Sequence, residues 1–140
     1  MAEWLFNSEN YFKSERHSIV EIEPVLNDLK EILHLKDELF YNIMIAATEA
    51  VNNAINHGNK LNPEKIVEFT VRANPEYLYI KVTDQGDGFD PETIANCLDP
   101  ENLLKSSGRG VFIIKELMDD VNIESSNSGT KIEMKYYLGK

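Results

Sequence analysis

Apolar residues recur along this chain with two different periods, and the switches between them mark its elements. Trp4 to Phe12 holds a first, short strand pattern. From Ile22 the apolar positions fall at Val25, Leu26, Leu29, Ile32 and Leu33, the spacing of one helical face. Ser18 and Glu21 have the form of a capping box for that helix, and Pro24 predicts either a start near Glu23 or a bend. Lys36 to Gly58 is the most periodic stretch: Leu39, Phe40, Ile43, Ala46, Ala47, Ala50, Val51, Ala54 and Ile55 form a stripe, with Gly58 placed as a C-terminal cap. The period then drops to two. Val67, Phe69 and Val71 alternate with polar residues, as do Leu78, Ile80 and Val82, and Asn74-Pro75-Glu76 between them predicts an antiparallel hairpin.

Asp84 to Ser107 loses sustained periodicity apart from one turn around Glu92 to Cys97, and its length suits a functional lid, placed at about residues 90–107. A helix from Gly110 to about Met118 follows, then strands around Val121–Glu124 and Lys131–Leu138 joined by Ser126-Asn127-Ser128-Gly129. Helices and hairpins in separate blocks predict an α+β fold, a two-layer α/β sandwich with about three helices behind one mostly antiparallel mixed sheet. No repeat, low-complexity tract or linker divides residues 1–140, so one domain is expected.

Composition narrows the function. Of 140 residues 42% are hydrophobic and 27% charged, enough for one core, which excludes a disordered chain. Fourteen Lys and Arg against 24 Asp and Glu give a formal charge of −10, so nucleic acid is not an expected partner. A basic protein surface, or a phosphate held by backbone N–H groups, suits an acidic chain better. With a single Cys97, no signal region and no apolar run near the ~20 residues that span a bilayer, a cytoplasmic location without membrane contact is expected. His17, His34 and His57 have no zinc-ligand spacing.

Four segments carry candidate chemistry. Glu49 and Asn53 stand one turn apart on the long helix, flanked by Asn52 and Asn56. Such a row fits either a solvated helix face or one carboxylate and several amides aimed into a cleft, where amide oxygens suit Mg²⁺ and the carboxylate can take a proton. Asp84-Gln85-Gly86-Asp87-Gly88-Phe89 begins where a strand ends, and reads either as a turn or as a buried acceptor for an amino group such as that of adenine, with glycines permitting close packing. Ser107-Gly108-Arg109-Gly110 before Val111 is either plain turn chemistry or a helix start opened to phosphate. Neither a Walker loop nor a Rossmann fingerprint is present. Gly129-Thr130 by itself reads as a hairpin turn.

The order of these segments is more specific than any one of them. Glu49-Ala50-Val51-Asn52-Asn53-Ala54-Ile55-Asn56-His57-Gly58, Asp84-Gln85-Gly86-Asp87-Gly88, Gly108-Arg109-Gly110 and Gly129-Thr130 together resemble the N box and the three glycine boxes of the Bergerat-fold (GHKL) ATPases, which include gyrase, histidine kinases and heat-shock chaperone ATPases. Short length and the Glu-Ala-Val-x-Asn-Ala-x-x-His-Gly form look most like the stand-alone bacterial anti-sigma-factor serine/threonine kinases. The likeness extends to Met118-Asp119-Asp120-Val121 and covers roughly residues 10–138, most strongly from Ala46 onward.

That resemblance implies ATP or ADP with Mg²⁺ as cofactors. Asn53 would bind the Mg²⁺, Glu49 would act as general base toward a protein serine, and Asp84 would accept from adenine, in part through a water shared with Thr130. Gly86 and Gly88 would pack at the base, while Asn56, His57, Lys105, Gly108, Arg109, Gly110 and Val111 would complete the nucleotide site under the lid. The implied partners are an anti-sigma-factor antagonist phosphorylated on serine, a sigma factor held inactive, or both, with a possible homodimer. A nucleotide-dependent binding module without kinase activity is the alternative. A detached histidine-kinase catalytic domain is disfavoured, because those typically have Asn where this chain has Glu49.

Overall fold

The computed structural model describes residues 3–86 and 106–139. Five strands form one sheet: β1 (Phe6–Lys13), β2 (Ile66–Ala73), β3 (Tyr77–Thr83), β4 (Asp120–Ser126) and β5 (Gly129–Tyr137). Their order is β1-β2-β3-β5-β4, and every described pairing is antiparallel, so the sheet has no parallel pair among them. Three helices, α1 (Ile22–Leu33), α2 (Asp37–Asn53) and α3 (Ser106–Leu117), cover one face.

Strand alternation explains which face they cover. Val67, Phe69 and Val71 of β2 and Leu78, Ile80 and Val82 of β3 are buried against the helical stripe of Ile43, Ala46, Ala47, Ala50 and Val51. The opposite face is polar and laced with ion pairs: Arg72 to Glu9 at 3.1 Å, Lys81 to Glu68 at 2.8 Å, and Lys131 to Glu124 at 3.1 Å. In the β2–β3 turn, Asn74 Oδ1 accepts from the N–H groups of Glu76 and Tyr77, which is what an Asx turn supplies to a tight hairpin.

The helix ends depart from the sequence reading at three places. Ser18 and Glu21 do not form a capping box: Arg16–Glu21 is a 3₁₀ turn, Ser18 is buried within it, and Glu21 flanks α1 without a side-chain cap. Pro24 sits in the first turn of α1, where its missing N–H is harmless. The long helix changes character before Gly58, passing from α2 into a π turn over Ala54–Gly58. Gly58 is not the cap either; the left-handed residues that end the helix are Lys60 and Leu61, with φ of 53° and 59°. Finally α3 starts at Ser106, four residues before the sequence reading, so Gly108 and Gly110 lie inside its first turns. At Gly110 glycine's weak helix propensity is overridden by packing against Glu49 and Asn53 of α2.

Candidate functional site

Three loops meet at the end of β3, and glycines set how closely. Asp84 follows β3 directly and is 6% exposed. Its backbone N–H donates to Thr130 O at 2.9 Å, continuing the β3–β5 ladder by one step. Its Oδ1 accepts from Gly86 N at 3.0 Å and from Thr130 N at 3.1 Å. The other oxygen, Oδ2, lies over Gly58, where a Cβ would come within 2.1 Å of it. A Cβ on Gly86 would in turn meet Gly58 O at 2.0 Å, and one on Gly129, at φ +142°, would meet Asp84 O at 2.0 Å. Gly58 is therefore required by the approach of Asp84 and not by a helix cap.

No hydrogen bond reaches Oδ2 from the described residues, yet the atom is not sealed from solvent. Burial pushes the Asp84 carboxyl above the ordinary aspartate value, opposed by the two backbone N–H donors and by the charge of Lys65. A carboxylate oxygen held in place by its sibling's two hydrogen bonds, and itself without a donor among the described residues, is an acceptor prepared for a ligand N–H. An open cavity of about 350 Å³ lies at this end of the sheet, lined by Thr83, Asp84, Ser125, Thr130 and Lys131 among others. That volume is in the range of small-molecule sites. Thr130 is buried, and its hydroxyl shares a 3.0 Å hydrogen bond with Ser125 Oγ.

A second cluster forms where α3 crosses α2. A Cβ on Gly110 would stand 3.0 Å from Glu49 Oε2, 3.1 Å from Asn53 Nδ2 and 3.3 Å from Asn53 Oδ1. The bare Gly110 Cα thus lets the first turns of α3 close onto the polar row of α2, with Val111 buried beside it. Glu49 and Asn53 are both half-buried, so the row is not a fully solvated face. One carboxylate and one amide at a helix seam offer a proton acceptor and an oxygen ligand of the kind Mg²⁺ takes. The donor set therefore fits that ion.

The remaining sequence candidates divide. Asn56 donates to Asn52 O at 3.0 Å, so its amide nitrogen is tied to its own helix, and His57 is exposed on the π turn. Gly108 and Arg109 belong to the first turn of α3. Gly88, Lys105, the turn around Glu92 to Cys97 and the lid up to residue 105 lie outside the described residues. One residue was missed by the sequence reading. Asn59, 1% exposed, accepts from Gln85 N at 2.7 Å and donates to Ser14 Oγ at 2.8 Å and Ile66 O at 3.2 Å.

The chain as a whole is similar to known proteins. The family model described as the histidine kinase-like ATPase domain matches residues 12–136. The chain is similar to the serine-protein kinase RsbW of Staphylococcus epidermidis, 35% identical over 103 residues that cover 69% of this chain. It is likewise similar to RsbW of Staphylococcus aureus strain Newman, 36% identical over the same length. The match spans 64% of each of these relatives, a little under two thirds of their length. In fold it resembles the RsbU and RsbW domains of Rv1364c from Mycobacterium tuberculosis, with a TM-score of 0.65 at 14% identity over 94% of this chain and 32% of that one. The blue-light activated histidine kinase of Erythrobacter litoralis aligns at a TM-score of 0.57 and 20% identity, over 74% of this chain and 32% of its own. Residues 12–136 include Glu49, Asn53, Asp84, Gly110 and Thr130, the polar centre of both clusters, and the chain belongs to the histidine kinase-like ATPase domain family.

Proposed function

We propose that this chain is an ATP-dependent protein-serine kinase that acts as an anti-sigma regulatory factor. On this reading it phosphorylates an anti-sigma-factor antagonist, holds a sigma factor inactive, or does both, in the cytoplasm. The observation that carries the proposal is the placing of Glu49 and Asn53 together against Gly110 at the first turns of α3. The naming of similar proteins as serine-protein kinases supports it. So does Asp84, whose Oδ2, without a donor among the described residues, suits the exocyclic amino group of adenine.

Asp84 and Thr130 would then orient the base, and Gly110 would leave room for phosphates at the start of α3. Asn53 would hold Mg²⁺, which supplies charge neutralisation along the phosphates when bound. Glu49 would take the proton of the incoming serine hydroxyl as its oxygen bonds to the γ-phosphorus, while the bond from that phosphorus to the bridging oxygen breaks and ADP leaves. Most of the rate would come from positioning and electrostatics, as in phosphoryl transfer generally.

The test is Glu49→Gln. Serine phosphorylation of a panel of small anti-sigma-factor antagonist proteins, read by mass spectrometry, should slow by about 10²–10⁴-fold, the usual worth of a general base. Calorimetric ADP binding should stay near wild type. Phosphorylation at the wild-type rate would remove Glu49 from the role. ADP binding with no phosphoserine from the wild-type protein on any panel member would favour a nucleotide-dependent binding module instead.

A further inference from the structure

The motifs of this fold account for Asp84 but not for what holds the Asp84–Gly86 bend in place. The bend packs against the π turn through two glycines, with Gly58 and Gly86 approaching backbone to backbone. Glycine contacts permit closeness without fixing direction. A side-chain hydrogen bond does cross this seam, from Gln85 N to the amide oxygen of Asn59 at 2.7 Å. We propose that Asn59 is a positioning residue for the nucleotide base: its buried amide fixes the Asp84–Gly86 bend, and so sets where the Asp84 carboxylate meets the amino group of the ligand. The inference rests on the nucleotide reading above and goes beyond it, because Asn59 would touch no ligand.

Every hydrogen-bonding group of Asn59 is engaged. Its backbone N–H donates to Ala54 O at 2.8 Å and its carbonyl accepts from Asn62 N at 3.0 Å, which fixes the residue on the π turn. Its side-chain oxygen accepts from Gln85, and its two side-chain hydrogens go to Ser14 Oγ and Ile66 O. Ser14, also fully buried, passes the restraint on by donating to Lys65 O at 2.7 Å. Gln85 closes the circuit from the other side, its Oε1 accepting from Ile66 N at 2.6 Å. A single amide thus joins the chain after β1, the start of β2 and the residue after Asp84. The Asn59–Ser14 core of this network is buried and satisfied, and is therefore stiff, because any tilt leaves a polar group unpaired in a medium that cannot solvate it.

Position matters to Asp84 in particular. Its Oδ1 bonds depend on Gly86 N and Thr130 N, and Gly86 is the residue after Gln85. Releasing Gln85 N lets Gly86 drift, loosens one of the two bonds, and allows the carboxylate to rotate away from its ligand. A ligand whose base carries no amino donor should be indifferent to that rotation.

The experiment measures calorimetric affinities of wild type, Asn59→Ala and Ser14→Ala for ADP and for inosine diphosphate, which has an exocyclic carbonyl oxygen where adenine has the amino group. Thermal melts confirm folding. If Asn59 positions Asp84, Asn59→Ala lowers ADP affinity by roughly tenfold, the net worth of about one hydrogen bond, and leaves inosine diphosphate affinity nearly unchanged. The ADP preference therefore collapses. Ser14→Ala should reduce the preference in the same direction and by less, since Asn59 keeps its bonds to Gln85 N and Ile66 O.

A folded Asn59→Ala that keeps the wild-type ratio of the two affinities overturns the inference, even if both affinities fall or the melting temperature drops. Should Asn59→Ala fail to fold, Ser14→Ala decides: an unchanged ratio overturns the proposal and a reduced one supports it. Wild-type protein that binds neither nucleotide would instead overturn the nucleotide reading itself.

Discussion

Water reaches the carboxyl of Asp84 poorly, and burial raises its pKa although two backbone N–H groups and Lys65 pull the other way. The sign of the consequence follows by linkage. The unfolded chain loses this proton first, near 3.8, so stability falls as the pH rises from there through the raised folded value, and the deficit persists above it. Asp84→Asn removes the charge while keeping an oxygen that can accept from Gly86 and Thr130. The variant should melt above wild type near neutral pH, and the gap should close as the pH is lowered toward about 4. Its ADP affinity should be lost, because an amide nitrogen facing the ligand would present a donor to a donor. Melting curves at several pH values, with calorimetry at neutral pH, check both parts; a variant that melts below wild type at every pH would show that the carboxylate is not under strain. At this scale the motif residues were legible: Glu49, Asn53, Asp84 and Thr130 could be picked out by type and order. Asn59 could not. An Asn after Gly looks like an exposed turn residue, and its burial depends on partners 45 and 26 positions away in sequence.

Among elements, the crossing of α2 and α3 concentrates what the proposed chemistry needs, and Gly110 is its hinge point. Replacing that glycine by alanine sets two effects against each other. Helix propensity favours Ala by about 1 kcal/mol inside a helix. The new methyl would stand 3.0 Å from Glu49 Oε2, the far end of a flexible side chain that can move aside, and 3.1 Å from Asn53 Nδ2. The carboxylate can yield, so Gly110→Ala should unfold in urea at or above the wild-type midpoint. Moving the proposed base by a few tenths of an ångström should nevertheless slow phosphoryl transfer, by less than the ~10²-fold that a full ångström can cost. A wild-type rate in a stable Gly110→Ala protein would mean that the seam does not position Glu49. The strands and the bodies of the helices were legible from their periods of two and 3.6, since packing on one face imposes those periods. The helix ends were not. The π turn over Ala54–Gly58 and the late stop at Lys60 and Leu61 are closed by wide backbone bonds, Asn59 N to Ala54 O and Leu61 N to Ile55 O, and held from outside by the Asn59 side chain on Ser14 and Gln85. No local cue in Ala-Ile-Asn-His-Gly separates that turn from ordinary helix.

For the whole molecule, the two hairpins β2–β3 and β4–β5 follow from short turns in the sequence, but the order that joins them does not. The pairing of β3 with β5, which brings Thr130 to Asp84, links segments on either side of α3, and no local pattern in the sequence states it. The same sheet has an open face whose charges are organised in pairs and ladders, while the chain as a whole carries a formal charge of −10. These two features answer oppositely to salt. The Arg72–Glu9, Lys81–Glu68 and Lys131–Glu124 pairs are partly exposed, worth about 0–1 kcal/mol each, and weakened by screening. The excess negative charge repels itself over distances comparable to the Debye length, about 30 Å at 0.01 M and about 3 Å at 1 M, so screening relieves it. These weak pairs, with Lys30–Asp37 on the helical side, against a formal excess of ten negative charges leave repulsion as the larger effect. Raising NaCl from ~0.01 M to ~0.5 M should therefore raise the melting temperature. A fall over that range would mean that the open-face ladder contributes more than its exposure allows. Removing it pair by pair, beginning with Lys81→Met at the 2.8 Å contact to Glu68, should then turn the fall into a rise.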